Sequence, residues 1–205
     1  QLEFKTLEPF NESYSNYWYA EGSQEGCHFD FSSQIAFLKV LHPILQASGL
    51  RTVISASDET SVMTSVKGFQ AYQQAGVLPL VGQWNTHTGE ASEEARIERA
   101  QLCREQKKRR WMSEGGAGGK GLDGNLKLAE KLIHDIRLLR PAAWLDWQYI
   151  EDNNDQWCLV KGDFYGGTQE FHKVKNYYLR QQLSRFIPQG YKYIHSSEES
   201  TLAEL

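Results

Sequence analysis

The sequence predicts an α/β fold of parallel strand–helix–strand units, on three observations. Five short apolar stretches recur along 205 residues, longer segments with helical periodicity separate them, and each stretch ends in polar, chemically capable side chains. Strand alternating with helix in this way implies crossover connections and a parallel sheet. In a closed parallel barrel all strand C-termini reach one face, where the active site is built.

The elements follow in order. Strands are predicted at residues 2–10, 52–56, 78–85, 110–113 and 142–149, and helices at 33–47, 60–75, 92–106 and 126–139. The first helix carries Ile35, Leu38, Leu41 and Leu45 at helical spacing, and Gly49 supplies its C-terminal cap. After the fifth strand come a polar loop at 152–156, a helix over 174–186 ended by Pro188 and Gly190, and a new strand at 191–194. The expected domain division is a catalytic barrel at 1–187 and the start of an accessory β region at 188–205.

Composition narrows the function. At 40% hydrophobic and 23% charged the chain is an ordinary globular one, and a net charge of −4 offers no broad basic field for a nucleic-acid backbone. The basic run Arg104, Lys107, Lys108, Arg109 and Arg110 is expected to close a helix, where cations meet the negative end of the dipole. Apolar runs such as 77–84 are too short to span a bilayer, and no leader-like segment opens the chain, so neither a membrane nor a nucleic-acid partner is expected. Cys27, Cys103 and Cys158 have neither disulfide-framework nor zinc spacing, and no cofactor or metal is expected. The Gly-rich stretch 114–121 fails as a phosphate loop because Gly121 stands where Ser or Thr is needed. Six Trp, ten Tyr and nine Phe include Trp18, Trp84, Trp111, Trp144 and Trp147 near strand ends; such rings pack cores, and at loop mouths they also make platforms for sugars.

The strand ends hold the candidate chemistry. They carry Asn11 and Glu12; Ser57, Asp58 and Glu59; Asn85, Thr86 and His87; Ser113 and Glu114; and Trp147, Gln148 and Glu151. A lone acid at such a place is commonly a helix cap. Two acids held close together can instead cleave a glycosidic bond, one donating a proton and the other attacking the anomeric carbon, with roughly 5 to 5.5 Å between them in retaining enzymes; the pair here ends the first and fourth strands. Glu12 and Glu114 are that pair. This division needs Glu12 raised by its surroundings and Glu114 kept ionised.

The stretches LEPFNES, SQEGCHF, TVISASDET, QWNTHTGE, RRWMSEGG, RPAAWLDWQYIE and KNYYLRQQLSRFIPQGYKYI together resemble glycoside hydrolase family 30, closest in kind to its endo-β-1,6-galactanase-like members. The resemblance implies a retaining hydrolase on a (β/α)₈ barrel, of which this chain holds about strands 4 to 8. It implies Glu12 as acid/base, Asn11 as its neighbour on the sugar 2-hydroxyl, and Glu114 as nucleophile. His87 matches a position near the nucleophile and Trp147 one lining a sugar subsite. Asp58 and Glu59 match a segment where either substrate contact or an ion pair is expected. The implied substrate is a β-1,6-linked galactan, with β-1,6-glucan, another β-glycoside, or a non-catalytic carbohydrate-binding fragment as alternatives, and the implied location is extracellular.

Two departures stand out. Ser13 follows the acid where the family has Pro, which also creates the sequon Asn11-Glu12-Ser13; a glycan there would block the cleft, so the active form is expected unmodified. A full barrel takes about 250 residues, so exposed barrel edges and self-association through them are expected.

Overall fold

The computed structural model describes residues 3–22, 24–116, 119–167 and 170–192. The chain forms two compact units, one of Gln1–Gly116 with Leu132–Trp147 and one of Ala117–Lys131 with Gln148–Leu205. These units do not follow the boundary expected at 187. Most of the expected accessory region, including the end of the strand at 191–194, lies outside the described residues.

The first unit is a parallel five-stranded sheet in sequential order: β1 (Thr6–Leu7), β2 (Val53–Glu59), β3 (Val81–His87), β4 (Arg109–Gly115) and β5 (Ala143–Asp146). Helices α1 (Phe31–Ala47), α2 (Val62–Gln74) and α3 (Glu93–Glu105) connect the strands. Each starts at a side-chain cap, Asp30, Ser61 and Ser92 accepting from the backbone N–H of Ser33, Thr64 and Ala95. Gly49, at φ 73°, follows α1 in the left-handed conformation that suits glycine there. The basic run divides as expected, with Arg104 in the last turn of α3 and Arg109 opening β4.

One face of the sheet is apolar and covered by helices. Ile54, Ala56 and Trp84 pack with Leu38 of α1 and with Phe69 and Tyr72 of α2, all buried. The Trp84 ring meets those of Phe69 and Tyr72 edge-on, with centroids 5.0 and 5.1 Å apart. Alternate residues Ser55, Ser57, Gln83 and Asn85 are polar and also buried. Glu8, just past β1, accepts from Asn85 Nδ2 at 3.0 Å on that face.

A π-helical turn at Asp135–Leu139 locks β5 to the rest. Asp135, fully buried, accepts from Arg96 Nε at 2.9 Å, Thr88 Oγ1 at 3.1 Å and Trp144 Nε1 at 2.8 Å. Those donors come from α3, the loop after β3, and β5. Such a paired charge is costly to break because its partner is left buried and alone.

The second unit has a three-stranded sheet, β6 (Ile150–Asp152), β7 (Val160–Gly162) and β8 (Phe171–Lys173), parallel then antiparallel. Helix α4 (Gly121–His134) begins in this unit, and α5 (Lys175–Ser184) follows β8. Asn125 of α4 donates to Asn176 of α5 at 2.6 Å. The fifth predicted strand, 142–149, is thus shorter than expected, and residues 150–152 start a different sheet.

Candidate active site

The strand ends of the first unit converge on His87. It closes β3 and pairs in register with Glu114 of β4, so the two side chains project from neighbouring strands at the same level. His87 is 3% exposed. Its Nδ1 lies 2.8 Å from Glu12 Oε1, while Nε2 lies 3.4 Å from Asp58 Oδ2 and 3.7 Å from Glu114 Oε2. The first contact is a hydrogen bond; Nε2 is in ion-pair range of two carboxylates without an aligned hydrogen bond to either. Burial alone would favour the neutral ring. Asp58, Glu12 and Glu114 outweigh it and push the imidazole pKa up to about 10, so His87 is a cation at neutral pH.

Glu12 owes its place to its backbone. At φ 51° it has a left-handed conformation, as has Asp58 at 58°, an arrangement that costs a non-glycine residue roughly 1–2 kcal/mol. Its N–H donates to the Asp58 carbonyl at 2.8 Å, and its own carbonyl accepts from Trp18 Nε1 at 2.8 Å. The side chain accepts from His87 and, through its other oxygen, from the Tyr17 hydroxyl, which lies 3.0 Å from Thr60 Oγ1. Burial acts to raise the Glu12 pKa, but the bonds from His87 and Tyr17 prevail and hold it below the usual carboxylate value. Burial raises Glu114; His87 opposes this, while the charges of Glu12 and Asp58 add to it, and the net shift is upward.

These directions reverse the expected division between the two acids. The cause is local: Glu12 takes two hydrogen bonds, whereas Glu114 meets the His87 charge only at 3.7 Å. The proton shared among His87, Glu12 and Glu114 therefore rests on His87, one hydrogen bond from Glu12.

The structure brings Glu12, Asp58, His87 and Glu114 together. Asp58 is 7% exposed and accepts from Ser113 Oγ of β4. Glu59 is elsewhere: it is fully buried, accepts from Gln34 Nε2 at 3.0 Å and the Tyr14 N–H at 3.1 Å, and presents no surface to a substrate. Burial first, and Asp58 later, lift its pKa to about 7 against the Gln34 and Tyr14 bonds. Asn11 is exposed beside Glu12. Trp147 follows β5, tied to the end of β4 by its N–H to Gly115 at 2.7 Å, with half its surface open for a flat ligand. Trp84, by contrast, is core.

Glu8, Tyr17 and Gln34 are not legible as site residues, while Ser113 and Trp18 stand out only as one strand-end hydroxyl and one ring among several. Glu8 belongs to LEPFNES yet reads as an ordinary strand glutamate; burial, reinforced by the charge of Asp58, raises its pKa well above normal. Ser13, in place of the expected Pro, is 2% exposed and its Oγ accepts from Gln34 Nε2 at 2.9 Å.

Glu12, His87 and Glu114 also offer two carboxylate oxygens and a ring nitrogen within 4.8 Å of one another, a set that could ligate a metal ion. A metal requires the neutral imidazole lone pair. His87 held as a cation with Nδ1 committed to Glu12 fits that role poorly.

No protein-family model matches the chain. It is 32% identical, over 98% of its length, to an endo-β-1,6-galactanase from Hypocrea rufa, of which it spans 40%. It is 24% identical, over 72% of its length, to an exo-β-1,6-galactobiohydrolase from Bifidobacterium longum subsp. longum, of which it spans 13%. Among solved structures it superposes on the catalytic domain of a GH30 xylanase C from Talaromyces cellulolyticus with a TM-score of 0.68 at 15% identity, covering 90% of this chain and 42% of the other. An endo-β-1,6-glucanase gives 0.69 at 16%, covering 97% and 47%. At such identities the structural likeness is one of fold. The chain thus spans less than half the length of each protein compared.

Proposed function

We propose, from the chain's homology over nearly its full length to an endo-β-1,6-galactanase and its likeness in fold to family 30 glycoside hydrolase catalytic domains, that it carries both catalytic carboxylates of a retaining β-glycoside hydrolase. Its five parallel strands then correspond to strands four to eight of a (β/α)₈ barrel. The substrate is a β-1,6-linked galactan, a reading supported by the endo-β-1,6-galactanase and exo-β-1,6-galactobiohydrolase relatives in Hypocrea rufa and Bifidobacterium longum; β-1,6-glucan is the second substrate class, supported by a fold neighbour of that activity.

The observation that carries the reading is the spacing of Glu12 and Glu114, whose nearest oxygens lie within 4.8 Å. Retaining enzymes hold their carboxyls roughly 5 to 5.5 Å apart, whereas inverting ones need about 6.5 to 9.5 Å to admit a water. Glu114 attacks the anomeric carbon while Glu12 protonates the leaving oxygen; Glu12 then removes a proton from water, which displaces the sugar from Glu114. A sugar entering the cleft excludes water from Glu12 and favours its neutral form, and His87 Nδ1 is one hydrogen bond away to supply the proton. Once Glu12 is neutral and His87 has regained its proton from solvent, the Glu12 repulsion is gone while the His87 attraction remains, and both favour the ionised Glu114.

The resting pKa directions favour a second reading, with Glu12 as nucleophile and Glu114 as acid. Both predict retention. Hydrolysis of a panel of β-1,6-galactan, β-1,6-glucan and β-1,4-xylan, by the chain and by its Glu114→Gln variant, tests the function. Release of galacto-oligosaccharides by the chain alone, abolished in the variant, is expected; unchanged release in the variant would end the reading.

A further inference from the structure

We propose that Glu59 is a positioning residue for Glu12, acting through Gln34 and the Ser13–Tyr14 segment; this rests on Glu12 being the acid/base. Glu12 occupies a left-handed conformation that an unrestrained chain would leave, and such residues persist only where their surroundings over-determine them. The end of β2 supplies the restraint on both sides. Asp58 takes the Glu12 N–H on its carbonyl at 2.8 Å, and two residues on, Glu59 Oε2 takes the Tyr14 N–H at 3.1 Å.

Between these points Ser13 is held as well. Gln34 of α1 directs Nε2 at Glu59 Oε1 at 3.0 Å, Ser13 Oγ at 2.9 Å and the Phe29 carbonyl at 3.0 Å. Its Oε1 accepts from Tyr72 of α2 at 2.7 Å. The amide orientation is fixed by chemistry, because the Phe29 carbonyl only accepts and so must face the NH₂. Phe29 N–H closes the set on the Ser13 carbonyl at 2.7 Å. Gln34 and Glu59 are fully buried and Ser13 nearly so, which makes every bond in the network costly to lose.

The charged groups that act on Glu59 are Asp58, which raises its pKa, and His87, which lowers it, both already in the site. A carboxylate that touches no substrate thus reaches the acid/base from two directions, through the loop it clamps and the strand end it shares. Glu114 sits on β4, outside this network. Loosening the clamp therefore acts on proton donation and not on nucleophilic attack.

The test uses Glu59→Gln and Gln34→Met, which keep side-chain length while removing the acceptor or the donor. Each is compared with the wild type on β-1,6-galactan, whose leaving sugar needs a proton, and in the burst phase with 2,4-dinitrophenyl β-galactoside, whose leaving group does not. Carboxyl ¹³C NMR follows Glu12 in the same proteins. On galactan, kcat/KM is expected to fall about 10- to 100-fold, the scale of an ångström's misplacement. The burst rate changes less than about 3-fold, and the Glu12 titration midpoint rises as its bond to His87 slackens.

Equal losses on both substrates, or unchanged galactan hydrolysis in a folded variant, overturn the proposal. Should the wild type hydrolyse neither substrate, the hydrolase reading falls by itself, and an unmoved Glu12 midpoint in a folded variant would still refute the clamp. If neither variant folds, the wild type decides: its Tyr14 amide proton shift is expected to follow the Glu59 titration, and its failure to do so overturns the proposal.

Discussion

Replacing His87 with Gln removes the cation that lies 2.8 Å from Glu12, 3.4 Å from Asp58 and 3.7 Å from Glu114. Moving an imidazole pKa from its ordinary 6.5 to about 10 corresponds to about 5 kcal/mol at roughly 1.4 kcal/mol per pH unit. Because three acids share that charge, the stability lost at pH 6 is on the order of 3–5 kcal/mol. For a chain of this size each kcal/mol moves Tm by about 2–4 °C, so the variant melts roughly 10 °C lower. The folded state binds this proton more tightly than the unfolded one, so the stabilisation is fully present below about 6.5 and is lost as pH rises through about 10. Thermal unfolding followed by circular dichroism at pH 6 and pH 10 measures the gap at each. The gap should shrink toward pH 10, and a gap that is equal at both values, or under about 2 °C at pH 6, refutes the assignment of His87 as the shared cation.

Further outcomes follow from the same geometry. Asp135→Asn strips the charge from a buried group bonded to Arg96, Thr88 and Trp144; a loss of about 3–5 kcal/mol by denaturant unfolding is expected, and under 1 kcal/mol would contradict the clamp. Glu12→Gln lowers galactan hydrolysis by about 10²- to 10⁴-fold, and azide restores turnover of an activated aryl galactoside by attacking in place of base-activated water; if azide restores nothing, Glu12 is not the acid/base. Excess EDTA leaves hydrolysis unchanged, since a protonated His87 offers no lone pair. Inhibition reversed by added zinc would put a metal on Glu12, His87 and Glu114.

Much of the sheet is legible in the sequence because its buried strands alternate with capped helices. The helix starts predicted at 60 and 92 fall at the observed caps Ser61 and Ser92, and Gly49 marks an end. Strand ends are where the reading slips. The predicted strand 52–56 stops at Ala56, with Ser57, Asp58 and Glu59 as the polar residues beyond its end. They stay in the sheet instead, with Ser57 opposite Asn85 and Glu59 opposite Thr86 across a register shift. The stretch 78–85 starts late because Leu78–Leu80, with Pro79, forms a 3₁₀ turn. The first strand is predicted over 2–10, but its ladder covers only Thr6–Leu7. Strands β6 to β8, three residues each, are too short to carry a period.

The site shows the same split. Glu12 and Glu114 stand out because acids end successive strands, and His87 because it lies between them. Nothing in composition or spacing separates Asp58, which faces the cluster, from Glu59, which is buried behind it. That difference comes from the left-handed turn at Asp58, a backbone event the side chains do not announce. Gln34 is more hidden still, since a glutamine in the first turns of an amphipathic helix reads as surface until Glu59, Ser13 and Tyr72 are found around it.

In the proposed reaction Glu114 attacks the sugar while Glu12 handles the proton. Incubation with 2,4-dinitrophenyl 2-deoxy-2-fluoro-β-galactoside, followed by peptide mass spectrometry, tests it most directly, because the fluorine slows release of the covalent intermediate. A fluorogalactosyl ester is expected on Glu114, in the segment Trp111–Met112–Ser113–Glu114. A label on Glu12 would exchange the two roles, and a label on any other residue would contradict the assignment of the pair.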